Sequence, residues 1–187
     1  MRRMSLAVAT CLVGGIVFLV GCTTTEVNKQ AAVPPQPCNE RLGTFKTVEY
    51  EHVSLTSGYA ASGVNQKAAK KIDELLRANM GNVFPGMTVV AQAAGTATDK
   101  TLVIRPIIKE IKFIGGAARF WVGAMAGSSR VLMQVDFVDK GTGKTVGNPQ
   151  FYCTANAWAG AQSMGGADNM MLSQIAQDIT IYTVSNR

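Results

Sequence analysis

The stretch RVLMQVDFVDKGTGKTVGNPQFYCTANAW, residues 130–158, predicts a β-hairpin from which the rest of the fold can be placed. Residues 130–138 alternate apolar and polar side chains, as a half-buried strand does, and residues 145–158 form the returning strand. The apolar positions of the first strand share one face: Val131, Met133, Val135 and Phe137. In the intervening DKGTGK, we expect Gly141 and Gly143 to accept the positive φ angles of a hairpin turn.

The turn also contains GTGKT, residues 141–145, which matches the end of a phosphate-binding loop. The complete motif requires a glycine five positions before Gly143, where Val138 stands, and a helix after Thr145. The residues that follow are typical of a strand instead. We therefore predict a hairpin turn here and no nucleotide site.

The remaining periodicity predicts two helices and three more strands. Residues 65–80 and the segment that follows Asp168 each place apolar side chains on one face at helical spacing, and Gly81 is the expected C-cap of the first helix. The polar residues of that helix are interpreted as a solvated face: Lys67, Lys70, Lys71, Asp73, Glu74 and Arg77. The further strands are expected at residues 45–53, 88–93 and 101–113. Pro106 predicts an edge position or a bulge in the last of them.

The order of these elements predicts an α+β fold. We expect a mostly antiparallel sheet of about five strands, with the two main helices packed on it.

The sequence FIGGAARFWVGAMAGSSR, residues 113–130, allows three interpretations: a phosphate-binding loop, a membrane insert or a crossover between two strands. A phosphate loop leads into a helix, whereas a strand follows here. A spanning helix needs about 20 apolar residues, more than residues 114–127 offer around Arg119. We therefore predict a crossover. Its glycines serve backbone geometry and close packing: Gly115, Gly116, Gly123 and Gly127. Its larger apolar side chains either pack back on the sheet or form a contact surface: Phe120, Trp121, Val122 and Met125.

The beginning of the chain predicts a targeting segment rather than part of the fold. Arg2 and Arg3 precede an apolar run at residues 6–20, and the run ends in Leu-Val-Gly-Cys at residues 19–22. This ending resembles the lipobox of bacterial lipoproteins, which implies cleavage before Cys22 and acylation of that cysteine. The alternative is an uncleaved amphipathic anchor. The residue after the cysteine is a threonine rather than an aspartate, which resembles the sorting pattern of outer-membrane lipoproteins.

Cleavage would divide the chain into a signal peptide at residues 1–21, a lipidated flexible tether at 22–42 and an α+β globular domain at 43–187. The tether contains Ala-Ala-Val-Pro-Pro-Gln-Pro and little to bury. Loss of Arg2 and Arg3 lowers the net charge from +6 to about +4. A charge this small and diffuse argues against a nucleic-acid partner.

Side chains suited to catalysis or metal binding are scarce. Of the four cysteines, Cys38 in the tether and Cys153 in the globular domain would remain unmodified after cleavage, either as one disulfide or as two free thiols. His52 is the only histidine and no C-x-x-C is present, so we predict no metal site. Ser128 and Ser129 precede a strand rather than the strained turn of a hydrolase nucleophile. We expect no enzyme activity, and no cofactor beyond the covalent lipid.

The lipobox, the glycine-rich crossover and the strand ending FVDKGTGK together resemble a family of bacterial envelope lipoproteins with a domain of unknown function. The resemblance covers residues 44–182, and its most specific residues are Gly115, Gly116, Gly123, Gly127, Arg130, Asp139, Thr142 and Gly143. More distantly, the layout is similar to the α+β domains of the N-terminal part of TolB and of the curli secretion channel lipoprotein. The chain departs from the curli channel in lacking two long amphipathic hairpins. The resemblance implies binding and assembly at the envelope, and no catalytic residues.

These features predict a non-enzymatic lipoprotein, anchored by lipid in the outer membrane and facing the periplasm, that acts as a binding or assembly accessory. The expected partners are the membrane, through the lipid on Cys22, and an envelope protein or a second copy of the chain. The alternative is a structural subunit of an oligomeric outer-membrane secretion or transport assembly.

Overall fold

The structure, a computed structural model, describes residues 34–95, 97, 99–113, 128–155 and 166–187. Its elements in chain order are a 3₁₀ turn (Leu42–Thr44), β1 (Thr47–Glu51), β2 (Ser54–Leu55), α1 (Ser57–Ala60), α2 (Gly63–Val83), β3 (Thr88–Val90), β4 (Thr101–Lys112), β5 (Arg130–Asp139), β6 (Thr145–Gly147), β7 (Gln150–Thr154) and α3 (Gly166–Ser185). The α+β class predicted from the sequence is confirmed. Within the described ranges, no helix has both the length and the apolar character that crossing a membrane requires.

The described strands form one mixed sheet, so the prediction of a mostly antiparallel sheet of about five strands is wrong. The sheet has seven strands in the order β3-β1-β4-β5-β6, with β2 beside β4 and β7 beside β5. β1 pairs in parallel with both β3 and β4, and β2 also pairs in parallel with β4. The reason is α2, because a helical connection returns the chain to the end of the sheet from which the next parallel strand starts. Every antiparallel pair of the described strands includes β5, which pairs with β4, β6 and β7.

One strand that was not predicted and one predicted strand that is divided in two account for the strand count. The additional strand is β2, in residues predicted to form a loop. It is separated from β1 at Val53, whose backbone N–H donates to the Asp73 carboxylate at 3.0 Å instead of to a neighbouring strand. The returning strand of the hairpin is interrupted at Pro149, which has no N–H to donate. Its carbonyl still accepts from the Val135 N–H at 3.1 Å. The seven strands therefore occupy five positions across the sheet.

Pro106 lies in the middle of β4, a central strand, and not at an edge or a bulge as predicted. On one side of β4 the pairing with β1 ends at Ile104, and the pairing with β2 begins at Ile107. Pro106 faces this gap between two strands, where no carbonyl requires the missing N–H. The register irregularity of β4 falls instead between Ile108 and Glu110.

The core lies between one face of the sheet and the two long helices. The predicted apolar face of α3 is buried throughout: Leu172, Ile175, Ala176, Ile179 and Tyr182. The alternating positions of β5 are buried too: Val131, Met133, Val135 and Phe137. In α2, Ala68, Ile72, Leu76 and Met80 are buried as predicted, but the helix continues to Val83 and the predicted C-cap, Gly81, lies inside it.

Candidate functional site

Most of the residues singled out from the sequence lie outside the described residues. These are the lipidation site Cys22, the crossover glycines Gly115, Gly116, Gly123 and Gly127, and the contact residues Phe120, Trp121, Val122 and Met125. The structure does describe the hairpin turn, the two remaining cysteines and His52.

The hairpin turn follows the prediction at one glycine and not at the other. Gly143 has a φ of +70°, which is the left-handed conformation expected of it. Gly141 has no positive φ, so this part of the prediction is wrong. The turn is closed by Asp139, whose carboxylate accepts from the Gly141 N–H at 2.9 Å and whose carbonyl accepts from the Gly143 N–H at 2.7 Å. Thr145 then begins a strand, and not the helix of a phosphate loop.

Cys38 and Cys153 are free thiols in the structure, so of the two alternatives the disulfide is not formed. Cys38 lies against Gly147, which is opposite Phe137 on β5, whereas Cys153 is opposite Val131. Six residues of β5 separate these positions, which is about 20 Å along the strand. A disulfide requires Cα atoms within about 7 Å of each other. The chain would have to rearrange to form this bond.

The end of the predicted tether, residues 36–42, is bound to the surface of the domain and is called the docked segment. At the last turn of α3, the Asn186 side-chain oxygen accepts from the Cys38 N–H at 2.8 Å, and the Asn186 carbonyl accepts from the Leu42 N–H at 2.8 Å. On the sheet side, the Asn39 N–H donates to the Val146 carbonyl of β6 at 2.8 Å. Hydrogen bonds to Asn186 on one side and to Val146 on the other therefore hold the segment between the C-terminal helix and the edge of the sheet.

Tyr182 of α3 also binds this segment. Its hydroxyl donates to the Gln36 carbonyl at 2.6 Å and lies 3.4 Å from the Cys38 sulfur. Its ring packs against Phe137 and Phe151, with centroids 6.0 Å and 5.6 Å away. Burial, followed by the contact with Cys38, raises the pKa of Tyr182 well above its ordinary value. The hydroxyl therefore keeps the proton that it donates in this bond at physiological pH.

Part of the predicted flexible tether is thus bound to the domain. The tether is predicted to extend to residue 42, whereas among the described residues Gln36, Cys38 and Asn39 already form hydrogen bonds to α3, to the Asn186 that follows it, or to β6. The composition of the segment, rich in proline and poor in large apolar residues, gave no sign of this. The bonds use backbone groups, and their partners on α3 are 146 and 148 residues away.

The fit of the docked segment gives a test at Gly147. A Cβ atom at Gly147 would lie 2.8 Å from the Cys38 sulfur, so Gly147→Ala should displace the segment and destabilise the domain by about 1–3 kcal/mol. Hydrogen exchange should then become faster at the amides of Cys38, Asn39 and Leu42. The matched control is Gly81→Ala, because nothing lies within 4 Å of a Cβ there and alanine favours the helix by up to about 1 kcal/mol. Unchanged exchange at the three amides in Gly147→Ala would contradict the docking.

A second polar cluster lies where β1 meets α2. Asp73, predicted to be solvated, is buried, with 8% of its surface exposed. One carboxylate oxygen accepts from the Tyr50 hydroxyl at 3.2 Å and from the Val53 N–H at 3.0 Å, and the other lies 2.8 Å from His52 Nδ1. Arg77 adds a longer contact at 3.8 Å. Burial and the Asp73 charge raise the pKa of Tyr50 far above its ordinary value.

The hydrogen bonds of this cluster connect α2 to β1 and to the turn that follows β1. A carboxylate beside an imidazole is also part of hydrolytic triads, where the histidine activates a nucleophile. Here the contacts of the carboxylate fix the end of β1 and the turn into β2, and α2 supplies Asp73 to hold them. In the described ranges, no three side chains of the types that bind metals come together.

Ion pairs cover part of the opposite face of the sheet. Glu51, which is buried, accepts from Arg105 at 2.6 and 2.9 Å and from the Ala93 N–H at 2.9 Å. Glu49 pairs with Lys140 at 2.6 Å. Although desolvation raises the pKa of Glu51, the bonds from Arg105 and Ala93 outweigh it and lower the pKa below its ordinary value. The two ion pairs join β1 to β4 and to the hairpin turn, and the bond from the Ala93 N–H attaches the loop after β3 to β1.

A depression of about 540 Å³ lies beside β7, at the edge of the sheet. It is lined by Ser128, Arg130, Tyr152, Cys153 and Thr154. The register pairs Cys153 with Val131 across β5, and the Ala155 N–H donates to the Ser129 carbonyl at 2.8 Å. By the alternation of an antiparallel ladder, the backbone groups of Tyr152 and Thr154 point away from β5 toward this depression. Among the described residues, it offers a ligand backbone groups, the Arg130 guanidinium, three hydroxyl-bearing side chains and the Cys153 thiol.

Comparisons with known proteins place the chain among proteins of unknown function. A family model described as a domain of unknown function, DUF4410, matches residues 45–161. No curated protein matches the chain significantly.

Several solved structures are distantly similar. The PelC dodecamer from Paraburkholderia phytofirmans is 12% identical with a TM-score of 0.41, and the match covers 78% of this chain and 93% of that one. A hypothetical protein from Chlamydia trachomatis is 11% identical with a TM-score of 0.44, covering 75% and 99%. A candidate lipoprotein from Caulobacter crescentus is 13% identical with a TM-score of 0.36, covering 72% and 89%. All three scores are low, so the likeness does not extend to a function.

Proposed function

The chain belongs to the DUF4410 family, and from this premise we propose that it is a lipid-anchored, non-enzymatic protein of the bacterial envelope that acts as a binding or assembly accessory. The lipid would be carried by Cys22, with the domain on the periplasmic side of the outer membrane. The Leu-Val-Gly-Cys sequence after an apolar run supports the anchor.

The docked segment is the observation that carries the proposal, because it relates the anchor to the domain. Gln36, whose carbonyl accepts a hydrogen bond from α3, lies 14 positions after Cys22, and a chain of this length spans at most about 50 Å when extended. A lipid on Cys22 would therefore keep Gln36 within about 50 Å of the bilayer surface. The docked segment also enters the domain at one defined place, between Asn186 after α3 and Val146 of β6.

Two features favour binding over catalysis. The Asp73 carboxylate is used to join β1 to α2, and the described residues that line the depression beside β7 include no histidine or carboxylate that could act as a base for Ser128 or Cys153. A role in assembly is also what the resemblance to the TolB and curli channel domains implies. The proposed contact residues are those of the crossover, with Trp121 as the central one.

The alternative function is a structural subunit of an oligomeric outer-membrane assembly. It differs from the accessory role in its partner, which would be other copies of this chain in a closed ring or a larger complex.

Cross-linking in living cells, followed by mass spectrometry, tests the proposal. An accessory protein should give cross-links from the domain to one or a few other envelope proteins, and Trp121→Asp should abolish them while the protein remains at its normal level. Cross-links only between copies of the chain would support the structural subunit instead. If Trp121→Asp leaves every cross-link unchanged, the crossover is not the contact surface.

A further inference from the structure

The outward face of α3 is unusual for a helix that faces water. Met170 is 64% exposed, and Ile181 and Val184 are each 55% exposed. Gln174 and Gln177, also exposed, lie between them on the same face. The only charged residues of the helix are Asp168 and Asp178. By contrast, α2 turns a face rich in lysine, arginine and glutamate to the solvent.

The spacing of this face is that of a helix-pairing seam. Met170, Gln174, Gln177, Ile181 and Val184 follow one another at intervals of four, three, four and three residues. This is the alternation of the a and d positions in a coiled coil, which form the stripe that meets a partner helix. Over the 20 residues of α3, about 30 Å, the seam has room for two heptads.

The seam is complementary to itself when two copies run antiparallel. A twofold axis through Gln177 places Met170 opposite Val184 of the second copy, and brings Gln174 within one residue, about 1.5 Å along the helix, of the position opposite Ile181. Gln177 then meets its own counterpart, and two side-chain amides can donate to and accept from each other. Each contact occurs twice, as a twofold interface requires.

We propose that α3 is a homodimer interface, in which this outward face packs antiparallel against α3 of a second copy. The inference rests on the proposed lipid anchor in one respect, since confinement to a membrane raises the encounter rate of copies. A bilayer surface is a poorer occupant for the seam, because helices that lie on membranes use lysine or arginine with large aromatic residues. None of these residue types lies on the seam.

The anchors fit this arrangement. Each docked segment leaves its domain beside the C-terminal end of α3, so the two exits would be about 30 Å apart in an antiparallel pair. Both tethers, each up to about 50 Å long, can reach the same bilayer. The Asp178 carboxylates of the two copies approach each other at the rim, so the dimer should become tighter as salt screens them.

Site-specific disulfide formation in membranes from cells tests the interface on the full chain. In a background with Cys38→Ser and Cys153→Ser, Gln177→Cys should cross-link to itself under mild oxidation and give a dimer band on a non-reducing gel. Met170→Cys and Val184→Cys should give little dimer alone but a strong band when the two variants are expressed together. Adding Ile181→Asp to Gln177→Cys should reduce the dimer by about tenfold or more.

The control is Val64→Cys, which is 58% exposed on α2 and should not cross-link. No dimer from Gln177→Cys, or an equal dimer from Val64→Cys, would overturn the proposal, and self-linking of Met170→Cys would show parallel pairing and overturn it too. The membrane fraction of the same cells separates this result from the anchor. Protein that sediments with the membranes without cross-linking would refute the dimer alone.

Discussion

Replacing Cys22 with serine should move the protein from the membrane fraction to the soluble fraction. The anchor consists of acyl chains, and each buried CH₂ contributes about 0.8 kcal/mol, so several chains hold a protein on a bilayer without a spanning helix. Serine cannot form the thioether that carries the lipid. Fractionation of cells followed by detection of the protein measures the effect, which we expect to be nearly complete.

The chain supplies a matched control within the same targeting segment. Cys11 lies in the middle of the apolar run, away from the Leu-Val-Gly-Cys sequence, so Cys11→Ser should leave the protein in the membrane fraction. Retention of Cys22→Ser in washed membranes would favour the uncleaved amphipathic anchor. Release of Cys11→Ser to the same extent would show that the cysteine at position 22 has no special role.

Asp73→Ala should cost the domain about 3 kcal/mol or more of stability. The substitution removes the acceptor of the Tyr50 hydroxyl and of the Val53 N–H, and an unsatisfied buried polar group costs about 1–3 kcal/mol. Loss of the side chain also removes the contact with His52. For a domain of this size the melting temperature should fall by about 6–12 °C, measured by circular dichroism.

Glu74→Ala is the control for this prediction. Glu74 is the next residue of α2 and is exposed, so its removal should change stability by no more than about 0.5 kcal/mol. If the two variants melt at the same temperature, the Asp73 cluster does not hold β1 to α2. A second check is Asp73→Asn, which keeps one acceptor oxygen and should lie between the wild type and Asp73→Ala.

The features that were predictable from the sequence are those with a local period. The buried faces of α3 and β5 follow from apolar residues at helical spacing and at alternate positions, and the positive φ of Gly143 follows from the turn that joins two strands. Each of these needs information from fewer than about 20 neighbouring residues. Strand pairing joins residues that are far apart in the sequence. The parallel pairs of β1 depend on α2 acting as a crossover connection, which its helical periodicity does not indicate.

The contacts of the docked segment and of Asp73 are not indicated by the sequence for a related reason. Asp73 follows the buried Ile72 and is surrounded by lysine and glutamate, so its spacing gives no sign of a partner on β1. Its contact with His52 spans 21 residues, and that of Cys38 with Asn186 spans 148. Such contacts exist only once the sheet and α3 have formed, and no pattern in the segment itself records them.

The mass of the N-terminal peptide, measured on protein purified from the membranes of its own cells, tests the lipid anchor. We expect a chain that begins at Cys22 and whose first peptide is heavier than its sequence by the mass of the attached acyl groups. A peptide that begins at Met1, or one that begins at an unmodified Cys22, would contradict the lipid anchor on which the proposed function depends.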